Sequence, residues 1–223
     1  MVDGRCSAHT ARSSRDALEH IIPTAGAGFL IRSGRGSLFL VTPPESTKSR
    51  RRAVVSIVGA SEPSSPRAVP LARDLGAALK RAGFHLACGG RTGVMDAVSE
   101  GFANADGPGL SLGILMATDG SDANEWLDIV LPTGMGVARN ALVAQAGHVV
   151  IGIDGGAGTL SELAMAWQYG RPVGVLVPAG GWPARLGGVP LDDKRPDVIE
   201  ALESVEACVA WAQRHCDDTS SSD

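Results

Sequence analysis

Asp154-Gly155-Gly156-Ala157-Gly158-Thr159-Leu160-Ser161-Glu162 is the stretch whose reading decides the fold. It follows the apolar run 148–153 and precedes a helical pattern over 160–169. An apolar run of that length, bounded by glycines, reads as a buried strand. Three glycines within residues 155–158 let the backbone turn sharply and approach a ligand without Cβ interference. The following helix aims its first N–H groups, and the positive end of its dipole, at whatever lies above the turn. That arrangement suits an anion, most often a phosphate. The stretch therefore predicts a strand, a phosphate-sized cradle and a carboxylate, Glu162, beside it. A second reading stays open. Thr159-x-x-Glu162 has the spacing of a capping box, in which Thr caps the helix and Glu reaches back to the cap. The turn is neither a Gly-x-Gly-x-x-Gly dinucleotide fingerprint nor a Walker loop, since no Gly-Lys-Ser/Thr follows.

Working outward, the same alternation repeats. Residues 53–58 form a β-branched strand ending in Gly59-Ala60-Ser61, and Pro66 opens a helix through 82. A second strand, 84–87, runs into Gly89-Gly90-Arg91-Thr92-Gly93 and then a helix over 94–104. Strands are expected at 110–115 and 127–131, then a helix at 135–145 that leads into 148–153. Beyond the central turn come a helix at 160–169, a strand at 172–177 and a short strand at 198–202. Ser204 caps a terminal helix ending at 215. Strands alternating with helices at this spacing imply right-handed βαβ units. The fold class is α/β, a Rossmann-like, doubly wound, mostly parallel sheet flanked by helices. Such sheets collect ligands at the carboxyl ends of their strands. Three turns there are candidate ligand-binding sites: Gly59, Ala60 and Ser61; Gly89, Gly90, Thr92 and Gly93; Gly155, Gly156, Ala157, Gly158 and Thr159.

Composition narrows the field. Hydrophobic residues make up 44% of 223 residues, enough for a sizeable core, and aromatics only 4%, which fits close helix–sheet packing. A net charge of -4 argues against nucleic acid as a partner. No apolar run approaches the ~18 residues a membrane span needs, and the N-terminus lacks an apolar signal core, so a cytoplasmic protein is expected. Cys6, Cys88, Cys208 and Cys216 show no Cys-x-x-Cys spacing, so reduced thiols and no metal site are expected. Residues 1–52 are rich in Ser, Arg, Gly and Pro and close on Lys48-Ser49-Arg50-Arg51-Arg52. Apolar stretches at 28–31 and 38–41 flank a turn, so this extension is flexible or a hairpin. The ligand-binding domain spans 53–216, and 217–223 is a disordered tail.

Gly89-Gly90-Arg91-Thr92-Gly93-Val94-Met95-Asp96-Ala97, Pro132-Thr133-Gly134-Met135-Gly136-Val137-Ala138-Arg139-Asn140 and Gly155-Gly156-Ala157-Gly158-Thr159-Leu160-Ser161-Glu162 resemble motifs of the LOG superfamily. That group was long labelled lysine decarboxylase-like. Its characterised enzymes are nucleoside-monophosphate phosphoribohydrolases. The resemblance runs in the same motif order over residues 53–215. Gly-x-Gly-x-Ala-Arg-Asn, here 134–140, is similar to the branch that contains molybdenum-cofactor carrier proteins. The hydrolase branch has Met-His-x-Arg-Lys there, and a proline where this chain has Asp154. Its Arg and Glu are matched by Arg139 and Glu162. The resemblance implies a homo-oligomer, a dimer or tetramer, with helices 135–145 and 160–169 as interface candidates.

Three functions follow from these residues. A carrier of the molybdenum cofactor, or of a nucleotide, needs a backbone cradle and no acid–base pair. Ser61 and Thr159 would add hydroxyl donors, and Asn140 an amide apt for a ring edge. A hydrolase of nucleoside monophosphates would use Glu162 to stabilise an oxocarbenium-like species or activate water, and Arg139 to hold the phosphate side. The plain alternative pairs Arg139 with Glu162 as a salt bridge, with Glu162 also serving as the helix cap. Binding of single-stranded DNA ranks last, because stacking aromatics interleaved with lysines are lacking. Of the smaller signals, 118–125 reads as a polar loop at the pocket rim, and His85 and His148 as satisfied histidines opening strands. Trp167 reads as core or interface, and Gly180-Gly181-Trp182 as a flexible loop.

Overall fold

The computed structural model describes residues 52–218 and, ahead of them, three strands. The chain divides into two compact units, 1–51 and 52–223. In the first, β1 (Ile21–Pro23) pairs antiparallel with β2 (Phe29–Arg32), and β2 with β3 (Leu38–Val41). The β2–β3 pair is the hairpin expected from the two apolar stretches. The strand β1 has no counterpart in the sequence reading. Three apolar-leaning residues give no periodicity to detect.

The second unit opens with β4 (Val54–Gly59), α1 (Ala68–Arg81), β5 (His85–Cys88), α2 (Val94–Ala103), β6 (Ser111–Leu115) and β7 (Ile129–Pro132). A 3-10 turn, Gly136–Arg139, leads into α3 (Asn140–Ala146). Then come β8 (Val149–Ile153), α4 (Ala157–Gln168), β9 (Val173–Leu176), α5 (Gly181–Ala184), β10 (Glu200–Leu202) and α6 (Val205–Asp218). The seven strands form one sheet in the order β10-β9-β8-β4-β5-β6-β7, every pair parallel. The chain steps outward from β4 to β7, returns to β8 and steps outward the other way. The switch point therefore lies between β4 and β8, where doubly wound sheets place ligands.

Strand alternation explains the packing. Val55 and Ile57 of β4, with Val149, Ile151 and Ile153 of β8, face α1, α2 and α6, alongside Leu75, Val98 and Trp211. Val58, Val150, Val173 and Val175 face the other way, against Val143, Leu163 and Trp167 of α3 and α4. Both sheet faces are thus buried, as a parallel sheet requires. Each fully buried Ile or Leu contributes about 1.5–3 kcal/mol of transfer free energy. The buried Ser56 Oγ donates to the Val143 carbonyl at 2.7 Å. His148 Nδ1 accepts from the Val54 N–H at 3.1 Å and His85 Nδ1 from the Leu110 N–H at 2.9 Å, so both are the satisfied histidines expected.

Two helices depart from expectation at the site. The helix expected over 135–145 is a 3-10 turn followed by the short α3. Gly134 and Gly136 both take positive φ, which a right-handed helix excludes, so regular helix begins only at Asn140. The helix α4 begins at Ala157, three residues before the first apolar residue of its pattern. At the other end of the unit, Ser204 Oγ accepts from the Ala207 N–H at 3.2 Å, the cap expected, and α6 continues to Asp218.

Candidate functional site

A cavity of about 580 Å3 opens over the carboxyl ends of β4 and β8. Its walls bring together Gly59, Ala60 and Ser61 from the β4 turn, Gly155, Gly156, Gly158, Thr159 and Glu162 from the β8 turn and α4, and Arg139 and Asn140 from the start of α3. The β4 turn lies roughly 80–100 residues before the other two segments and meets them because β4 and β8 are neighbours.

The cradle is the N-terminus of α4. Among the described residues, no acceptor meets the N–H groups of Ala157, Gly158 and Thr159, and the first bond of the helix is Leu160 N–H to the Gly156 carbonyl at 2.9 Å. Such orphan donors are the ordinary state of a helix start and favour an anion. A Cβ placed on Gly156 or Gly158 would meet nothing within 4 Å. These two glycines are therefore not required by the chain's own packing, and what they leave is open space at the helix start. Thr159 is buried with its Oγ1 against Gly155. The capping-box reading is overturned. The cap position is Gly156, without a side-chain bond, and Thr159 and Glu162 lie inside the helix. Glu162 reaches Arg139 instead.

Arg139 and Glu162 form a buried ion pair, Nη1 to Oε1 at 2.9 Å. The same Nη1 donates to Asn140 Oδ1 at 3.0 Å. The Nε of Arg139 is buried and has no partner. The guanidinium lies against Gly89, where any side chain would collide with it. Burial pushes the Glu162 carboxyl up to about 7, with the charge and hydrogen bond of Arg139 opposing that rise. Its Oε2 accepts no hydrogen bond among the described residues, and the residue lines the cavity. Asn140, expected to read a ring or ribose, already has both ends of its amide engaged. Its Nδ2 donates to Ser161 Oγ at 3.2 Å, which in turn donates to the Gly158 carbonyl at 2.7 Å. The residue lies on the wall and braces Arg139 against α4.

The second glycine turn plays a supporting part. Gly89, Gly90, Thr92 and Gly93 do not line the cavity, nor does Ala157. Thr92 Oγ1 donates to the Ser61 carbonyl at 3.1 Å, and the Val94 N–H to the Ala60 carbonyl at 2.9 Å. Gly93 takes positive φ, and a Cβ there would strike the carbonyls of Ala60 and Ser61. This turn thus holds the β4 loop from behind. Arg91 from its middle does reach the cavity, with its Nε 3.0 Å from Asp122 Oδ2. The loop 118–125 caps the turn through Asn124, whose N–H donates to the Gly90 carbonyl and whose Nδ2 donates to that of Arg91.

Sequence reasoning missed Arg91, Glu62, Ser64, Met95, Met116 and Val137. The signal available was position: each follows a strand's carboxyl end by a few residues. Gly180-Gly181-Trp182 is not a free loop. It opens α5, and the Trp182 N–H donates to the Gly155 carbonyl at 2.9 Å, underpinning the cradle. Trp167 is core, with Nε1 donating to Asp192 Oδ1 at 3.1 Å.

Comparison with known proteins gives the family and the fold. A profile of the SLOG cluster4 family matches residues 52–214. An uncharacterised protein of Archaeoglobus fulgidus is 34% identical over 124 residues, 56% of this chain and 80% of that protein. The molybdenum cofactor binding protein of Rippkaea orientalis is similar in structure at 29% identity and a TM-score of 0.65, over 74% of this chain and 98% of that one. The molybdenum cofactor carrier protein of Chlamydomonas reinhardtii is similar at 25% identity and a TM-score of 0.64, over 75% and 99%. DNA processing protein A of Helicobacter pylori, described as binding single-stranded DNA, is 14% identical with a TM-score of 0.51, over 92% and 95%. At that identity the likeness speaks for the fold alone.

Proposed function

The chain belongs to the SLOG cluster4 family, and we propose that it binds a phosphate-bearing small molecule in the β4–β8 cavity and carries it, the molybdenum cofactor being the ligand that fits best. The observation that carries this reading is the start of α4, where the N–H groups of Ala157, Gly158 and Thr159 meet no acceptor among the described residues, and where Gly156, Gly158 and Thr159 line the cavity together with Arg139. A terminal phosphate there would meet backbone donors, a helix dipole and a cation together. Met95, Met116 and Val137 on the cavity wall offer apolar surface to the planar part of a pterin. Two of the similar structures are described as binding or carrying this cofactor, which supports the choice of ligand. The test is mass spectrometry of the ligand retained through purification, with metal analysis. A phosphorylated pterin with molybdenum is expected, and a mononucleotide would replace the ligand while leaving the cradle. No gain in melting temperature with phosphate, and no retained ligand, would remove the site.

One observation favours a second reading. Glu162 places an oxygen without a partner at the cavity and has its carboxyl near neutrality. In a nucleoside monophosphate, such a group can stabilise positive charge at the anomeric carbon as the bond to the base breaks. Water then adds to that carbon and its proton goes to the departing base. Incubation with nucleoside monophosphates and assay for free base separates the readings. The carrier releases none.

We also propose that the carrier works as a homo-oligomer. Val137 is 75% exposed and Met135, Tyr169 and the β7 residues Ile129, Val130 and Leu131 are all exposed. Ile129, Val130 and Leu131 lie on β7, the edge strand of the sheet, and an exposed apolar edge is a surface that a second copy would cover. Light scattering should give a multiple of 22.9 kDa, and Val137→Asp should shift it toward the monomer. A parent protein that runs as a monomer defeats the proposal. No helix among the described residues is long and apolar enough to cross a membrane, and we propose a cytoplasmic carrier.

A further inference from the structure

Asp154 directly follows β8 next to the cradle, yet it does not line the cavity. It is fully buried and takes φ of +49°, a left-handed conformation that Asp and Asn adopt more readily than other side chains. Its carboxylate accepts four hydrogen bonds. Oδ1 takes the Gly155 N–H at 2.6 Å and Ser64 Oγ at 2.8 Å. Oδ2 takes the N–H groups of Ser64 at 2.7 Å and Ser65 at 3.1 Å. Ser64 and Ser65 lie on the loop from β4 to α1, which also supplies Ser61 and Glu62 to the cavity wall. Gly181 of α5 closes over Oδ1, where any side chain would collide. Burial by itself would raise this carboxyl, but the bonds from Gly155, Ser64 and Ser65 together outweigh it and hold it below its ordinary value.

We infer that Asp154 is a clasp across the switch point, a positioning residue that holds the 61–65 loop against the α4 cradle so that both walls of the cavity are set before a ligand arrives. This rests on the reading of the cavity as a ligand site. Three of the four bonds run between segments some 90 residues apart, and all are charge-assisted. The clasp has two effects on binding. It removes the ordering entropy that a loose wall would cost when the ligand binds. It also takes the Gly155 N–H out of the cradle, which leaves the anion to the N–H groups of Ala157, Gly158 and Thr159. The proline that the resembling hydrolases carry at this position could not accept these bonds.

Asp154→Gly separates the clasp from the backbone, since glycine takes positive φ without strain. Amide hydrogen exchange at Ser64 and Ser65 should speed up about tenfold or more, while 149–153 stay protected. Affinity for inorganic phosphate, the probe, should fall about threefold or more because the wall must then be ordered on binding. Asp154→Asn keeps one acceptor oxygen and tolerates the same φ, so it should recover part of both losses. Unchanged exchange at Ser64 and Ser65 in folded Asp154→Gly would overturn the clasp. Should that variant fail to fold, Ser64→Ala removes only the hydroxyl donor from an exposed residue, and a lack of any acceleration there would overturn it equally. Accelerated exchange in a protein that binds no phosphate even unmutated would uphold the clasp and overturn the ligand reading alone.

Discussion

Arg139 and Glu162 touch each other through one hydrogen bond, and each keeps a polar atom unpaired, Nε on one side and Oε2 on the other. The pair is therefore not closed on itself, unlike a structural salt bridge whose groups are all satisfied. Its ionisation sets a pH dependence. Burial raises Glu162 from 4.5 to about 7 in the folded protein, so the native state holds a proton more tightly than the unfolded chain. That contribution to stability is complete below 4.5 and is lost as pH rises through about 7. Glu162→Gln, which keeps an acceptor for Arg139, should therefore gain melting temperature relative to the parent at pH 8 and little at pH 5. Asp154 is shifted the opposite way, but it is common to both proteins and cancels in the difference. A difference independent of pH would show that Glu162 is not desolvated as the structure has it. Arg139→Ala should weaken phosphate binding by about tenfold or more, one charge-assisted contact being worth about 1.5–3 kcal/mol. Titration calorimetry reads this directly, and an unchanged affinity would put the anion elsewhere. The identities of this pair were legible in the sequence through its motifs. Their contact stood in the sequence only as one of two alternatives, since the spacing of 139 and 162 does not say which way each side chain turns, and the structure forms it.

At the scale of the element, α4 shows where periodicity misleads. Gly158 and Thr159 of its first turn line the cavity and need no apolar side chain, so an apolar pattern can only find the helix from Leu160. The three-residue error changes the chemistry. Thr159 moves from cap to helix interior, and Gly158 becomes a helical residue with open space beside it. A glycine inside a helix costs roughly 0.5–1 kcal/mol relative to alanine. Gly158→Ala should accordingly raise the stability of the ligand-free protein by some part of that amount. The added methyl would sit in the cradle and should lower phosphate affinity. Opposite signs in a thermal melt and a phosphate titration are the expected signature. An alanine variant that is more stable and binds equally well would leave the glycine without a ligand role. The turn over 89–93 carries the converse lesson. Its glycines read as a cradle from sequence, but their close approach is to Ala60, Ser61 and Arg139, so they shape the site without touching its space.

Across the whole molecule, the doubly wound sheet was readable because strands and helices alternate, and the apolar run 148–153 lies inside the sheet, next to 53–58. The neighbours of the cavity were less readable. Glu62, Ser64 and Met116 follow the carboxyl ends of β4 and β6, which marks them as candidates, but which of the residues there meet depends on sheet order, and no local pattern encodes that order. The same reasoning bears on how much of the chain the site requires. Both hydrophobic clusters lie within residues 53–216, and every cavity-lining residue falls between Gly59 and Glu162. Among the described residues, the compact unit that starts at Arg52 thus holds both clusters, the seven-stranded sheet and the cavity walls. We propose that 52–223 folds by itself. Removal of residues 1–51 should leave a protein that unfolds cooperatively, with native amide protection across β4 and β8 and the phosphate affinity of the full chain. A truncated protein that lacks fixed tertiary structure would mean that the first unit completes the core. One that folds but no longer binds phosphate would mean that the first unit completes the site.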